Sequence, residues 1–522
     1  MIDAKTVLKS LDQFQCCLAW YGTLGLLLCL ADYCLALTER LGLQVFERGL
    51  KAIPLSVDLW LHYLNHCKTS HPGDEAYIRT QFERALDSCG MEFRSDRLWE
   101  SYIKWETENK NLQHVAAIYD RLLRTPTQGY TSHFDNFETL AKAHLPQKLL
   151  SVDEFLTLRK EWLAARQAKE EQENNEGEEK KETDDAASVE QKQKEEITAL
   201  REKLIETRKE LHKGTVAAVA DRWNFEEGIK RPYFHVKPLE KSQLRNWREY
   251  LEYEIEQGNR ERIIILFERC LIACALYEEF WVRFLQYLEG QKDDKLVEKV
   301  RNVYERACTI HHAKKANLHL HWAAFEEKEQ NWDRAAGILE SLEKHMPGLL
   351  QLAYRRINLE RRRGNLAQAS TLYEGYVTSF KNQTISTNLA IKHARFCSKV
   401  KSDLDGAISV LSKALEKDKA NSRLYLQLID LHMSRIPMDV EAVVAVFDRF
   451  LSSEASPSNK ATFAQRKLEF LEDFGQDITS VLKAQEEQQQ YQKLAREAKK
   501  ETQEGKTESN NKKKSSSDWT PP

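Results

Sequence analysis

Residues 246–270 read NWREYLEYEIEQGNRERIIILFERC, and residues 98–122 read LWESYIKWETENKNLQHVAAIYDRL. Superposed without a gap, they share a Trp, a Tyr three residues on, an aromatic residue followed by Glu, an Asn five residues after that Glu, and a closing aromatic-acid-Arg triplet. Steps of three and four put Trp99, Tyr102 and Trp105 on one helical face, and Trp247, Tyr250 and Tyr253 on another, so each set forms a stripe that must be buried. In chain order the triplet starts at Phe46, Phe82, Tyr119, Phe267, Tyr304, Leu339, Tyr373, Leu411 and Phe447, the two Leu forms being degenerate. The spacings are 36, 37, 148, 37, 35, 34, 38 and 36 residues. Trp281, Phe284 and Tyr287 repeat the aromatics, and Trp322, Phe325 and Glu326 repeat the second half of the stripe.

The apolar runs on either side of the fixed Asn predict helix, short turn, helix, with Asn111, Asn259, Asn331 and Asn365 at the start of the second helix. One such hairpin cannot cover its own aromatic face, whereas stacked hairpins can. The chain is therefore expected to be all-α, a TPR-like solenoid of helical hairpins.

Composition agrees with this architecture. Gly and Pro are scarce, at 19 and 11 in 522 residues, and helix-forming residues dominate. The net charge of −3 gives no global attraction to nucleic acid or acidic membranes. The ten cysteines form no Cys-x-x-Cys and sit in apolar runs, as small core residues of a reducing compartment do. Residues 16–37 carry only Asp32 as a charge, but they lack a basic flank and Glu39 and Arg40 follow at once, which favours a buried helix over a membrane anchor.

Along the chain we expect a divergent apolar segment (1–43), an amino-terminal array (44–165), an acidic disordered linker (166–196), a helix with an extended connection (197–246), a carboxy-terminal array (247–480) and a low-complexity tail (481–522). The linker holds 12 acidic and 6 basic residues. His133–Leu145 reads as the first helix of a unit with no evident partner, and Pro232 and Pro238 make residues 222–247 extended.

Motifs for phosphate loops, dinucleotide binding, zinc proteases and serine hydrolases are absent from the sequence, so neither catalysis nor a cofactor or metal is expected. His319 and His321 point to different helix faces, and Cys270 and Cys274 share a face as core residues. Two basic clusters are candidate contacts for RNA or an acidic partner. The first is Arg355, Arg356, Arg361, Arg362 and Arg363, partly neutralised by Glu360 and followed by Lys392, His393 and Arg395. The second runs from Lys230 to Arg248, with Lys230, Arg231, Tyr233 and Phe234 at its start. For Tyr233 and Phe234, anchoring the extended segment is the favoured role.

The paired motifs resemble the half-a-TPR (HAT) repeats of RNA-processing factors and lack the W-x-x-L-G-x-x-Y of tetratricopeptide arrays. FEEGIKRPYFHVKPL (225–239), with PLSVDLW, FRSDRLWE, ACTIH and QRKLEFLEDFG, resembles the pre-mRNA-processing factor 39 family over roughly residues 44–480. That resemblance implies a nuclear, non-catalytic splicing scaffold of the U1 small nuclear ribonucleoprotein that dimerises through its carboxy-terminal repeats and aids 5′ splice-site engagement. Its partners would be U1 proteins and a second copy of itself, with no membrane association. Residues 1–43 depart from the family pattern, which would place another aromatic-rich repeat there.

Overall fold

The computed structural model describes residues 39–175, 186–234 and 237–514. The apolar stretch 16–37 and the linker centre 176–185 lie outside the described residues. Among the described residues every regular element is helical, and no helix is long and apolar enough to cross a membrane. Two compact units divide the chain between His312 and Ala313, inside the array expected to run from 247 to 480.

The first unit begins with α1 (Glu39–Ala52), α2 (Val57–Ser70), α3 (Glu75–Cys89), α4 (Asp96–Glu108), α5 (Leu112–Leu122) and α6 (Tyr130–Ala143). The short α7 (Pro146–Leu149) leads to α8 (Val152–Asn175) and the long α9 (Ala186–Gly228). It ends with α10 (Lys241–Gln257), α11 (Arg260–Ala273), α12 (Glu278–Gly290) and α13 (Val297–Glu305), which continues as a π turn to His311.

The second unit comprises α14 (Ala316–Lys328), α15 (Trp332–His345), α16 (Leu350–Arg363), α17 (Leu366–Ser379), α18 (Gln383–Lys399) and α19 (Leu404–Lys417). It is completed by α20 (Ser422–Met433), α21 (Val440–Leu451), α22 (Pro457–Phe474) and α23 (Ile478–Lys514).

Within a unit, where the triplet begins with an aromatic residue, its ring commonly packs on a ring of the first helix that follows. Phe82 of α3 stacks on Tyr102 of α4 at 4.6 Å and 9°, Phe267 of α11 on Phe284 of α12 at 4.8 Å and 16°, and Tyr373 of α17 on His393 of α18 at 4.9 Å and 10°. Trp99, Tyr102, Trp105, Tyr119, Trp247, Tyr250, Phe267, Trp281, Tyr304, Trp322, Tyr373 and Phe447 are all buried, and Tyr253 is half-buried. Burying rings of this size is the main driving force of the stack, at roughly 25 cal/mol per Å² of apolar surface.

The fixed Glu-to-Asn spacing has a backbone cause. The amide of Asn111, Asn331 or Asn365 donates to the carbonyl of Glu106, Glu326 or Glu360, five residues earlier, at 3.0, 2.8 and 2.9 Å. The residue before the Asn is left-handed: Lys110, Gln330 and Gly364 have φ of 61°, 60° and 89°, and Gly258 in the corresponding turn has 77°. This is a Schellman stop, in which one left-handed residue satisfies the last carbonyls of the first helix. The capping role expected of the Asn side chains is only partly realised. Asn259 and Asn365 accept from the amides of Arg262 and Gln368, while Asn111 and Asn331 instead donate Nδ2 to the carboxylates of Glu106 and Glu326.

The regions outside the repeat motif differ most from expectation. Helix α8 enters the acidic segment to Asn175, and α9 emerges from it at Ala186, because Glu, Lys, Gln and Ala are strong helix formers even without a core. Residues 222–228 remain helical in α9; irregular backbone is confined to the stretch after Gly228, around Pro232 and Pro238. Most of the segment expected as a tail is α23, whose Val481, Ala484 and Tyr491 join the core of the second unit. Finally, α6 does have a partner. Its Phe134 stacks on His212 of α9 at 4.9 Å, and Arg201 Nε of α9 donates to the Ala141 carbonyl at 3.0 Å.

Candidate interaction surface

In the first unit the triplet carboxylates Glu47, Glu83 and Glu268 join neighbouring repeats. Glu47 accepts from Tyr63 Oη at 2.9 Å and from Arg84 at 2.7 and 2.5 Å. Glu83 accepts from Tyr102 Oη at 3.0 Å and Arg121 at 2.6 Å. The Tyr comes from the next first helix and the Arg from the next triplet. At Glu268 the corresponding ring is Phe284, which has no hydroxyl, and Lys299 takes its place at 2.7 Å beside a bidentate Arg306 at 2.9 Å. Burial alone would raise the Glu268 carboxyl, but Arg306 and Lys299 hold it down at about 2.

Helix α9 continues this ladder at two points, midway along it and near its carboxy-terminal end. Asp120, the acid of the third triplet, receives Arg208 Nε and Nη2 at 2.9 and 3.0 Å. Further along α9, Phe225 stacks on Tyr250 at 5.0 Å and 3°, and Glu226 accepts from Tyr250 Oη at 2.9 Å and from Arg269 at 2.7 and 2.8 Å. Phe225-Glu226 thus serves as the triplet that precedes α10. One helix both closes the amino-terminal repeats and opens the next set, which is why they form one unit. The signal was legible in Phe225-Glu226, the first two letters of the triplet, although the third is Glu227.

A second set of acids is sealed inside the hairpins. Glu254 lies between Arg222 (2.6 Å) and Arg262 (3.1 Å), and Arg222 is itself buried. Glu106 is held by Arg79 at 2.6 Å, and Glu326 by Arg334 at 3.2 Å.

The basic candidates are largely drawn into the same inter-repeat pairing. Arg356 pairs with Glu340 at 2.8 Å and with Glu343, Arg362 with Glu327, and Arg363 with Asp333 at 2.7 Å. Arg361 Nε donates to the Asn358 amide oxygen, and Arg355 is exposed. Glu360, expected to neutralise the cluster, is buried instead, because its place in the motif faces the core. His393 also leaves the surface set: it is buried against Tyr373, its Nε2 lies 2.9 Å from Ser370 Oγ, and burial pushes its pKa down to about 4. Lys392 sits over the Tyr354 ring, and Arg395 donates to Gln427.

In the other cluster, the Lys230 amide donates to Gln243, Arg231 to the Lys237 carbonyl, and Arg248 to Glu279 at 3.2 and 2.7 Å. Tyr233 is partnered, and Phe234 lines a cavity beside Trp281. Among the described residues no His, Cys, Asp and Glu cluster has metal-binding geometry. Cys270 and Cys274 are both buried and free, with burial raising the Cys270 thiol. His319 is buried and His321 exposed.

Two family models match this chain. The model described as PRP39 N-terminal HAT repeat covers residues 36–139, and PRP39 C-terminal HAT repeat covers residues 220–362. Human pre-mRNA-processing factor 39 is 43% identical over 482 residues, which is 91% of this chain and 71% of the human protein. The chain belongs to the pre-mRNA-processing factor 39 family. The Xenopus laevis member is 45% identical over 85% of this chain and 69% of its own length, and the Schizosaccharomyces pombe member is 31% identical over 69% and 58%. The carboxy-terminal family model begins at residue 220, so the family's second repeat region already includes Arg222, Phe225 and Glu226, as the α9 contacts require.

Proposed function

We propose that this chain is a non-catalytic scaffold for pre-mRNA splicing in the nucleus, joining the U1 small nuclear ribonucleoprotein through protein contacts and aiding engagement of 5′ splice sites. Membership of the pre-mRNA-processing factor 39 family along most of the chain carries the reading. The fold supports it physically: stacked hairpins spend their aromatics and most motif charges on each other and leave long helical surfaces for partners.

Self-association through the carboxy-terminal repeats belongs to the same proposal. In the second unit Met433, Ile436, Phe474, Ile478 and Leu482 are exposed, Ile436 almost completely. Large apolar side chains collected near the end of an array are what a protein contact would cover. Light scattering of the full chain across a concentration series tests this. Twice the monomer mass, reduced by Ile478→Asp with Leu482→Asp, is expected; a monomer at every concentration overturns self-association.

Direct RNA binding is the weaker reading, because Arg356, Arg362, Arg363 and Arg248 already face carboxylates. It would show as an affinity that falls steeply with salt and is lost on reversing Arg355 and Arg361.

A further inference from the structure

Residues 351–430 hold 14 Lys and Arg against 7 Asp and Glu, a surplus of seven positive charges in a chain whose total is −3. Arg356, Arg362 and Arg363 are neutralised by Glu340, Glu327 and Asp333, which all lie outside that stretch. The acids within it are engaged elsewhere. Glu360 is buried, Asp403 caps α19 by accepting from the Gly406 amide at 2.7 Å, and Asp405 meets Arg435. Asp418 and Asp430 accept from the side chains of Asn421 at 2.8 Å and Gln427 at 3.0 Å, while Glu374 and Glu416 sit on the second helices α17 and α19.

The remaining charge converges on the first helices. Lys392, Arg395 and Lys399 follow one another at steps of three and four, so they share one exposed face of α18. On one side of that face Lys392 Nζ lies 3.9 Å from the centre of the Tyr354 ring of α16, next to the exposed Arg355. On the other, Arg395 Nε donates to the Gln427 side-chain carbonyl of α20 at 2.7 Å, one helical turn from the exposed Arg423. Among the described residues no carboxylate pairs with any of these five cations. Like charges three and four residues apart oppose helix formation, and an anion laid across them relieves that repulsion.

We propose that the face formed by α16, α18 and α20 docks an extended, acidic segment of a partner protein, whose carboxylates meet Arg355, Lys392, Arg395, Lys399 and Arg423 as it crosses three repeats. Packed helices lie about 8–10 Å apart, and carboxylates three residues apart in an extended chain are separated by about 10 Å, so acids at every third position reach successive first helices. The same geometry argues against single-stranded RNA, which is held by stacking as well as by charge. The ring that borders these cations, Tyr354, is half-buried with Lys392 over its face. The inference rests neither on a splicing role nor on self-association.

Fluorescence anisotropy of the full chain with fluorescein-Glu-Gly-Ser-Glu-Gly-Ser-Glu-amide tests it, with the peptide carrying Lys in place of each Glu and a labelled decauridylate as comparisons. The expected result is saturable binding of the acidic peptide and none of the lysine peptide. Lys392→Glu with Arg395→Glu should weaken it roughly tenfold, the size of two exposed ion pairs turned repulsive. Lys417→Glu with Lys419→Glu, the same change of charge on exposed residues outside the face, should leave it nearly unchanged. Circular dichroism melts check that both double variants are folded, and light scattering reports self-association separately. Equal weakening by the two double variants would reduce the binding to overall charge and overturn the proposal. So would a lack of saturable peptide binding at the solubility limit. Tighter binding of decauridylate, removed by Lys392→Glu with Arg395→Glu, would overturn it in favour of RNA.

Discussion

Glu226 accepts both terminal guanidinium nitrogens of Arg269, 43 residues later, while Tyr250 donates its hydroxyl to the same carboxylate. The pair is nearly sealed from water, with side-chain exposures of 3% and 12%. Removing one partner of a buried pair strands the other charge, at a cost of about 3–5 kcal/mol. Glu226→Ala should therefore cost that much and lower hydrogen-exchange protection in α10 and α11. Tyr250→Phe, which loses only the hydroxyl, should cost about 1 kcal/mol. Equal effects from the two would show that the carboxylate is not the organising group.

Arg208 performs the corresponding task at the amino-terminal repeats, where it reaches Asp120 and also Glu154 at 2.6 Å. Both acids retain water access, so the expected loss for Arg208→Ala is smaller, about 2 kcal/mol, as for hydrogen bonds between charged groups. The loss should be local: limited proteolysis should speed up within α6, which α9 covers. Unchanged cleavage there would argue that the Phe134–His212 stack and the Arg201 and Thr215 hydrogen bonds to the Ala141 and Leu123 carbonyls suffice to hold α9.

Acid should act on each unit through its buried titratable groups. In the second unit, burial lowers His393 to about 4, so between pH 6.5 and 4 the unfolded chain binds a proton that the folded one does not. Stability falls as pH drops through that range, and His393→Phe, which keeps the stack on Tyr373, should flatten the slope. In the first unit, Glu268 is held at about 2 against 4.5 for a free Glu. Its stabilisation is present above pH 4.5 and disappears as pH falls from 4.5 to 2. Burial also lowers His311 of the first unit to about 4, so thermal melts followed from pH 7 to 3 should show both units weakening below pH 6.5, with the Glu268 loss added in the first unit below pH 4.5.

The motif spacing made the hairpins and their aromatic core readable, because a period of 34–38 residues with fixed Trp, Tyr, Glu and Asn leaves little freedom. The ion ladder was less visible. Nothing in the letters says that Glu47 meets Arg84 rather than solvent, since that depends on the angle between adjacent hairpins. Helix α9 was hidden for a different reason: it contributes Arg208 and Phe225-Glu226 from one continuous helix, so it lacks the turn that marks every other unit. The same logic moved His393 and Glu360 inward and left Arg355 outside, since helix phase, and not local composition, decides which side chain is covered.

Lys110 and Gln330 adopt the left-handed conformation at φ of 61° and 60°, where the equivalent turns use Gly258 and Gly364. A side chain in that region costs of the order of 1 kcal/mol relative to glycine. Gln330→Gly and Lys110→Gly should each raise stability by about 0.5–1 kcal/mol, the gain being trimmed by the extra freedom of glycine when unfolded. Chemical denaturation would record it. A loss of stability would mean that the side chains make contacts worth more than the backbone strain.

Helix α23 supplies the second half of the last hairpin. Lys467 of α22 is 6% exposed and donates to Asp448 at 2.5 Å and Glu487 of α23 at 2.7 Å, while Val481, Ala484 and Tyr491 pack on the core that contains Phe463, Phe470 and Leu471. Truncation after Gly475 should therefore uncover those rings and leave Lys467 with a single acid. Together these changes are worth several kcal/mol, at about 25 cal/mol per Å² of apolar area exposed. The expected readout is early melting of the second unit and loss of exchange protection in α22. Truncation after Lys499 keeps Val481, Ala484, Glu487 and Tyr491, and should melt like the full chain. If both truncations melt alike, α23 is not part of the fold's core and the solenoid ends at Phe474.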